Sequence, residues 1–243
     1  MLNKRSFKLM LPFLIVFIVK CSEKTNPIRY EPPEPPNLTI RTIPVPEKMI
    51  QSLDSMVQRV VKYMNLVNSI HNYEVYLKPP DTSKLQFQGD GVDNPTWTSS
   101  WVVDSLIIGL TISTTLNYYE WEVVFTGTKN KKIYTNSNVI KISQEIDHGD
   151  IIILLFDIEL LDFASWHCMT DYNGSYTVSM SASEEIIGGS RMVISEMLNG
   201  SRELILWRDL KTQKFKAKWK PDGSGQWWTY DVNGQILDSG NWS

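Results

Sequence analysis

The sequence predicts a mainly β fold: an antiparallel meander forming a barrel, half-barrel or sandwich, with one N-terminal amphipathic helix packed on it. Three observations carry that expectation. The first is strict alternation. Tyr119, Trp121, Val123 and Phe125 fall on one side of a strand with Glu120 and Glu122 on the other, and Phe215, Ala217 and Trp219 alternate with Lys214, Lys216, Lys218 and Lys220. A period of two with one apolar and one wet face is the signature of an antiparallel sheet packed on one side. The second is turn chemistry. Asn173-Gly174, Asn199-Gly200 and Asn233-Gly234 read as tight hairpins of type I′, in which both central residues take positive φ. Asp222-Gly223-Ser224-Gly225 adds a further reversal, so the C-terminus reads as strands near 213–220, 225–231 and 235–242. The third is a change of period upstream. Met49, Ile50, Leu53, Met56, Val57, Val60, Val61, Met64, Val67 and Ile70 recur at three- and four-residue intervals, which predicts a helix over 47–71.

The body from 72 to 243 is expected to hold about ten strands, with Ile151–Phe156 as a strand buried on both faces. The lysine row is expected to be a solvated strand face, guarding an edge against pairing with another chain. The Asn-Gly turns are unevenly spaced, which excludes a regular propeller or solenoid. A membrane-spanning β-barrel is the rival architecture. The long helix and a lysine row that would be costly against lipid speak against it.

Ahead of the helix, residues 22–46 read as a spacer. Seven of the chain's twelve prolines lie between Pro27 and Pro46, and proline fixes φ and removes an amide donor, favouring an extended, semi-rigid tether. Residues 1–21 combine Lys4, Arg5 and Lys8 with the apolar run Leu9–Val19 and end on Lys20-Cys21-Ser22. Eleven helical residues would span about 16 Å, roughly half a hydrocarbon core, so the run has the length of a signal-peptide core and not of a spanning helix. This segment resembles that of a bacterial lipoprotein precursor, with Lys20 standing where that family has a small residue. The resemblance implies acylation at Cys21, a membrane anchor through that lipid, and an extracytoplasmic address in the cell envelope. An uncleaved anchor and a plain secreted protein are the alternatives.

Of the 24 basic residues, four lie in the first twenty positions with no acid, which leaves a net charge of −7 for the rest. An acidic body has no electrostatic reason to bind nucleic acid. There are two cysteines, so with Cys21 lipidated Cys168 has no partner, and it is expected to be a small buried apolar residue. Its neighbour His167 would point to the opposite face of a strand, which argues against a Cys-His catalytic pair. No nucleophile elbow, zinc, phosphate-loop or dinucleotide motif is present, and no cofactor is implied.

Two features remain as candidate sites. Gly89–Asn94 places Asp90 and Asp93 in a flexible loop whose oxygens would suit calcium, although Asp, Asn and Gly also serve any turn. Trp97 and Trp101 fall on one strand face, and of the adjacent Trp227 and Trp228 one points inward and one outward. Trp228, or its neighbour, is the expected wet ring. Core filling is the ordinary use of tryptophan. A row of such rings could instead stack sugars, or line an apolar cavity under the helix. The expected role is therefore a non-catalytic binding module for an apolar ligand or glycan. The alternatives are a structural or assembly lipoprotein presenting a β surface to envelope proteins, and an enzyme without a recognisable motif.

Overall fold

Alternating side chains commit residues 86–242 to strands, and hairpins short enough to fold each strand back on its predecessor set the order. The computed structural model describes residues 34–80, 85–88, 94–147, 149–158 and 161–243, and Pro35–Ser243 forms one unit. Its strands are β1 (Gln86–Gln88), β2 (Thr96–Val103), β3 (Leu106–Thr114), β4 (Tyr118–Lys129), β5 (Lys132–Glu145), β6 (Ile151–Ile158) and β7 (Leu161–Thr170). They continue with β8 (Tyr176–Ala182), β9 (Arg191–Glu196), β10 (Arg202–Trp207), β11 (Gln213–Trp219), β12 (Gly225–Tyr230) and β13 (Ile236–Trp242). Each strand pairs antiparallel with the next in sequence, giving one thirteen-stranded open sheet with β1 and β13 at its edges. The last three strands lie within a residue or two of where the hydrophobic pattern puts them.

One face of the sheet, the inner face, carries the core. Ile108, Phe125, Ile140, Ile153, Trp166, Met180, Ile194, Leu206 and Phe215 are all fully buried on it. The side chains at alternate positions, on the outer face, are half-buried or exposed. The outward residues Ile152, Leu154 and Phe156 of β6 are among them, so this strand is covered on one face and not on both.

The inner face is covered by two passes of the N-terminal chain. Residues 35–46 run as an extended strap. Pro35 and Pro36 line a cavity with Ile112 and Trp121 of β3 and β4, Tyr176 of β8 donates from its hydroxyl to the Arg41 carbonyl at 3.1 Å, and Pro46 reaches the turn at Gly223. The chain then returns across the strands in helical form. Tyr63 packs on Phe215 of β11 with ring centroids 6.2 Å apart, the Trp166 indole of β7 donates to the Val67 carbonyl at 3.1 Å, and Tyr76 meets Phe125 of β4 edge-on at 4.9 Å.

The helical segment is broken where a continuous helix over 47–71 is expected. It consists of α1 (Glu47–Ile50), α2 (Ser55–Asn68) and a 3₁₀ helix (Ser69–Tyr76). Asp54 makes the break, because its carboxylate accepts from the amides of Met56 (2.7 Å) and Val57 (3.2 Å) and so starts a new helix. The Gln58 side-chain amide closes the other side by donating to the carbonyls of Met49, Ile50 and Ser52.

The Asn-Gly hairpins also differ from expectation. Gly174, Gly200 and Gly234 take positive φ, but Asn173, Asn199 and Asn233 do not, so these are not type I′ turns. Each is a five-residue reversal in which the glycine amide donates three residues back: Gly174 to Asp171 (2.7 Å), Gly200 to Met197 (2.8 Å) and Gly234 to Asp231 (3.3 Å). The Asn173 and Asn199 side chains are engaged by the amides of Ser175 and Ser201, both at 2.9 Å, a local bond that favours a turn with asparagine at negative φ. Two positive φ angles in a row occur instead at Asn130 (50°) and Lys131 (69°), between the paired Lys129 and Lys132.

Candidate functional site

The tryptophans of β2 point into the core. Trp97 and Trp101 are both buried on the inner face, and Trp97 packs edge-on against Phe87 of β1 at 5.9 Å. Trp227 is inward and half-buried against the same core, while Trp228 lies on the outer face opposite Lys216 and Ser239. Asp90, Asp93 and Cys21 lie outside the described residues. Among those that are described, no three His, Cys, Asp or Glu side chains gather as a metal site. Cys168 faces inward and is buried. Burial raises its thiol pKa, against a smaller opposing effect from the Tyr176 hydrogen bond.

Register across β10–β13 builds the most developed surface feature. Glu203 is opposite Lys218, Lys218 opposite Gln226, and Gln226 opposite Asn241, so four polar side chains form one row on the outer face. They line a groove of about 510 Å³ together with Met197, Ser201, Lys220 and Ser224. These eight have the parity that points away from the core, while Arg202, Trp219 and Trp242, of inward parity, complete the lining where the groove reaches the end of the strands. The neighbouring row runs Ile205, Lys216, Trp228 and Ser239, which brings the Trp228 ring beside the groove.

The lysine row has a different use from the one expected. β11 is an interior strand between β10 and β12, so its lysines guard no edge. Lys216 and Lys218 both pair with Glu203, at 3.2 and 2.8 Å. Burial alone would raise the Glu203 pKa, but its bonds to Lys218 and Lys216 outweigh this and hold it below the ordinary carboxylate value. A register shift after Leu206 turns Lys214 away from that row, and its ammonium donates to the Gly188 carbonyl at 2.6 Å. The groove thus presents a fixed carboxylate, two amides, hydroxyls and ammonium groups, with Trp219 and Trp242 in its lining and the half-buried Trp228 in the neighbouring outer row. That set can grip a polar, multiply hydroxylated ligand through directed hydrogen bonds and ring stacking. Glu203 is committed to two cations and is poorly placed to move protons.

Against the helical segment lies a cavity of about 270 Å³, lined by Pro35, Leu38, Ile40, Leu77, Leu85, Ile112 and Trp121 among others. This is at the lower edge of ordinary ligand cavities, which run from about 300 to 1,000 Å³.

No protein-family model matches the chain, and no curated relative matches it. Sequence reasoning placed Trp228 on a candidate site but missed Glu203, Gln226 and Asn241. The alternation told which of these face outward. Their alignment across four strands depends on loop lengths and on the shift after Leu206.

Proposed function

We propose that the protein is a cell-envelope lipoprotein, held to a membrane through Cys21, whose β domain is a non-catalytic binding module for a glycan. In this reading the sheet is a half-barrel wrapped around its helical segment, and the outer groove of β10–β13 is the binding surface. The observation that carries it is the cross-strand row Glu203–Lys218–Gln226–Asn241 beside Trp228. Planar amides and a stacked indole recognise sugar hydroxyls and ring faces together. The small inner cavity gives an apolar ligand less support.

The test is co-sedimentation with insoluble envelope polysaccharides, alongside mass spectrometry for an acyl group on Cys21. Trp228→Ala and Gln226→Ala are each expected to weaken binding about tenfold, the equivalent of roughly 1.4 kcal/mol, with an unchanged melting temperature. Absence of binding in the parent protein would end the glycan reading. A second reading, an assembly role, is favoured by the outer face of β6 and β7. There Phe156 and Phe163 lie 5.7 Å apart, with Leu154 and the exposed Ile152 further along the same face of β6, an apolar patch suited to a protein partner.

A further inference from the structure

In an antiparallel meander, alternate turns lie at the same end of the sheet, so the five turns after β3, β5, β7, β9 and β11 share one rim. Contacts between them confirm the grouping. The Ile146 amide donates to the Asn117 carbonyl at 3.0 Å. A Cβ placed on Gly174 would meet Leu198 at 3.0 Å, one on Gly200 would meet Pro221 at 2.9 Å, and one on Gly223 would meet Pro46 at 3.3 Å. Leu198 thus rests on Gly174 and Pro221 on Gly200, while the turns after β3 and β5 are joined by the backbone bond.

Three of the five turns, those after β3, β7 and β9, carry an apolar and wet side chain at the tip, while those after β5 and β11 carry Asp147 and Asp222. Tyr172 is 99% exposed, Leu116 91% and Leu198 74%, and Leu53, in the link that follows α1, is 100% exposed. The opposite rim is mixed, with exposed Val232 (66%) in the turn after β12 and Ile133 (76%) beside the turn after β4. Asp104-Ser105, Asn130-Lys131 and Glu184-Glu185 occupy three of its reversals, and its exposed Leu210 sits between Asp209 and Lys211. The strap also begins at the apolar rim, since Pro35 and Pro36 share a cavity with Ile112 and Trp121, close to the turn at Leu116.

We propose that this rim rests on a lipid bilayer, with Leu53, Leu116, Tyr172 and Leu198 inserted at the headgroup–acyl boundary. The proposal builds on the lipid-anchor reading of Cys21. Thirteen residues separate Cys21 from Pro35, a span of at most about 40 Å in extended polyproline form, and the domain they hold presents its apolar tips on the side where the strap starts. Exposed leucine and tyrosine lose unfavourable water contact at such a boundary, and tyrosine favours it because its ring is apolar and its hydroxyl stays wet. Asp54, Asp171 and Asp222 lie on the same rim, so the contact is apolar and needs no anionic lipid. It also sets the groove beside the headgroup layer, since Met197 and Ser201 belong to both the groove and the rim.

The experiment uses the full acylated chain reconstituted in phosphatidylcholine vesicles. Single cysteines are introduced as Tyr172→Cys, Leu198→Cys and, on the opposite rim, Leu210→Cys, and each is labelled with an environment-sensitive fluorophore. Buried Cys168 leaves the background low. Labels at 172 and 198 should shift to the blue and be quenched by spin-labelled acyl chains, insensitively to salt, while the label at 210 stays unquenched. Flotation of the same samples separates the two readings. If the protein floats while 172 and 198 remain as wet as 210, the rim proposal is overturned and the anchor reading stands. If it does not float and the tips stay wet, both fail. If the tips become buried without vesicles, in a concentration-dependent way, a second copy is the occupant and the lipid proposal is overturned.

Discussion

Replacing Glu196 by glutamine should cost the fold about 3 kcal/mol, although one oxygen and nearly the whole shape of the side chain are retained. Glu196 is buried at the end of β9, and its carboxylate serves two guanidinium groups. One oxygen accepts from Arg202 Nε at 3.0 Å and Nη2 at 2.6 Å, and the other pairs with Arg41 of the strap. Arg202 is as buried as Glu196, with side-chain exposures of 9% and 10%, while Arg41 is 52% exposed. Breaking a buried pair by removing one partner typically costs 3–5 kcal/mol, because the remaining charge is left without compensation. The amide oxygen still accepts one hydrogen bond, which puts Glu196→Gln at about the lower bound. That is roughly a 150-fold loss in the ratio of folded to unfolded protein. Arg41→Ala, by contrast, removes a half-exposed partner and its stacking on Tyr176 (4.9 Å from the ring centroid), worth about 1 kcal/mol. Urea denaturation of the parent, both single variants and the double variant Glu196→Gln/Arg202→Met provides the measurement. The double variant should be more stable than Glu196→Gln alone, since it removes the stranded charge. A loss below about 1 kcal/mol for Glu196→Gln, or a double variant no better than the single one, would refute the reasoning.

Three other outcomes are expected. Lys131→Gly should raise stability by roughly 1 kcal/mol in the same assay, because Lys131 holds φ at 69°, a conformation that costs a residue with a Cβ about 1–2 kcal/mol and glycine nothing. Cys168 should resist a thiol reagent at pH 8 in the folded protein and react at once in urea, since burial both shields it and raises its pKa; a fast native reaction would contradict its placement. Glu122, held low by Lys141 and Asn138 against burial, and Glu203, held low by its two lysines, both have folded pKa values below the ordinary 4.5. Their contribution is fully present above pH 4.5 and is lost as pH falls through the lower folded values. Stability should therefore decline below pH 4.5, less steeply in Glu203→Gln than in the parent.

The reach of the sequence follows the range of the forces involved. Alternation in β4 and β11 sorted inward from outward side chains correctly, because a strand's period of two is a local property of the backbone and one face must leave water. The same logic separated His167 from Cys168 and set Trp227 and Trp228 on opposite faces. Where the expectation failed, a nearby side chain had decided the matter. Asp54 stopped and restarted the helix; Asn173 and Asn199 bonded the amide two residues ahead, and in the third turn the Asp231 carboxylate accepted from the amides of Asn233 and Gln235, and so the turns were altered.

Tertiary structure alone decided the rest. Arg41 meets Glu196 across 155 residues, and no pattern near either one announces the pair. The row Glu203–Lys218–Gln226–Asn241 exists because three loops have the lengths they have and β10–β11 slips by one residue after Leu206. Composition and period set which side chains must be buried; register and the two passes of the N-terminal chain set which of the others are brought together. A one-residue change in any hairpin of β10–β13 would keep the pattern and disperse the groove.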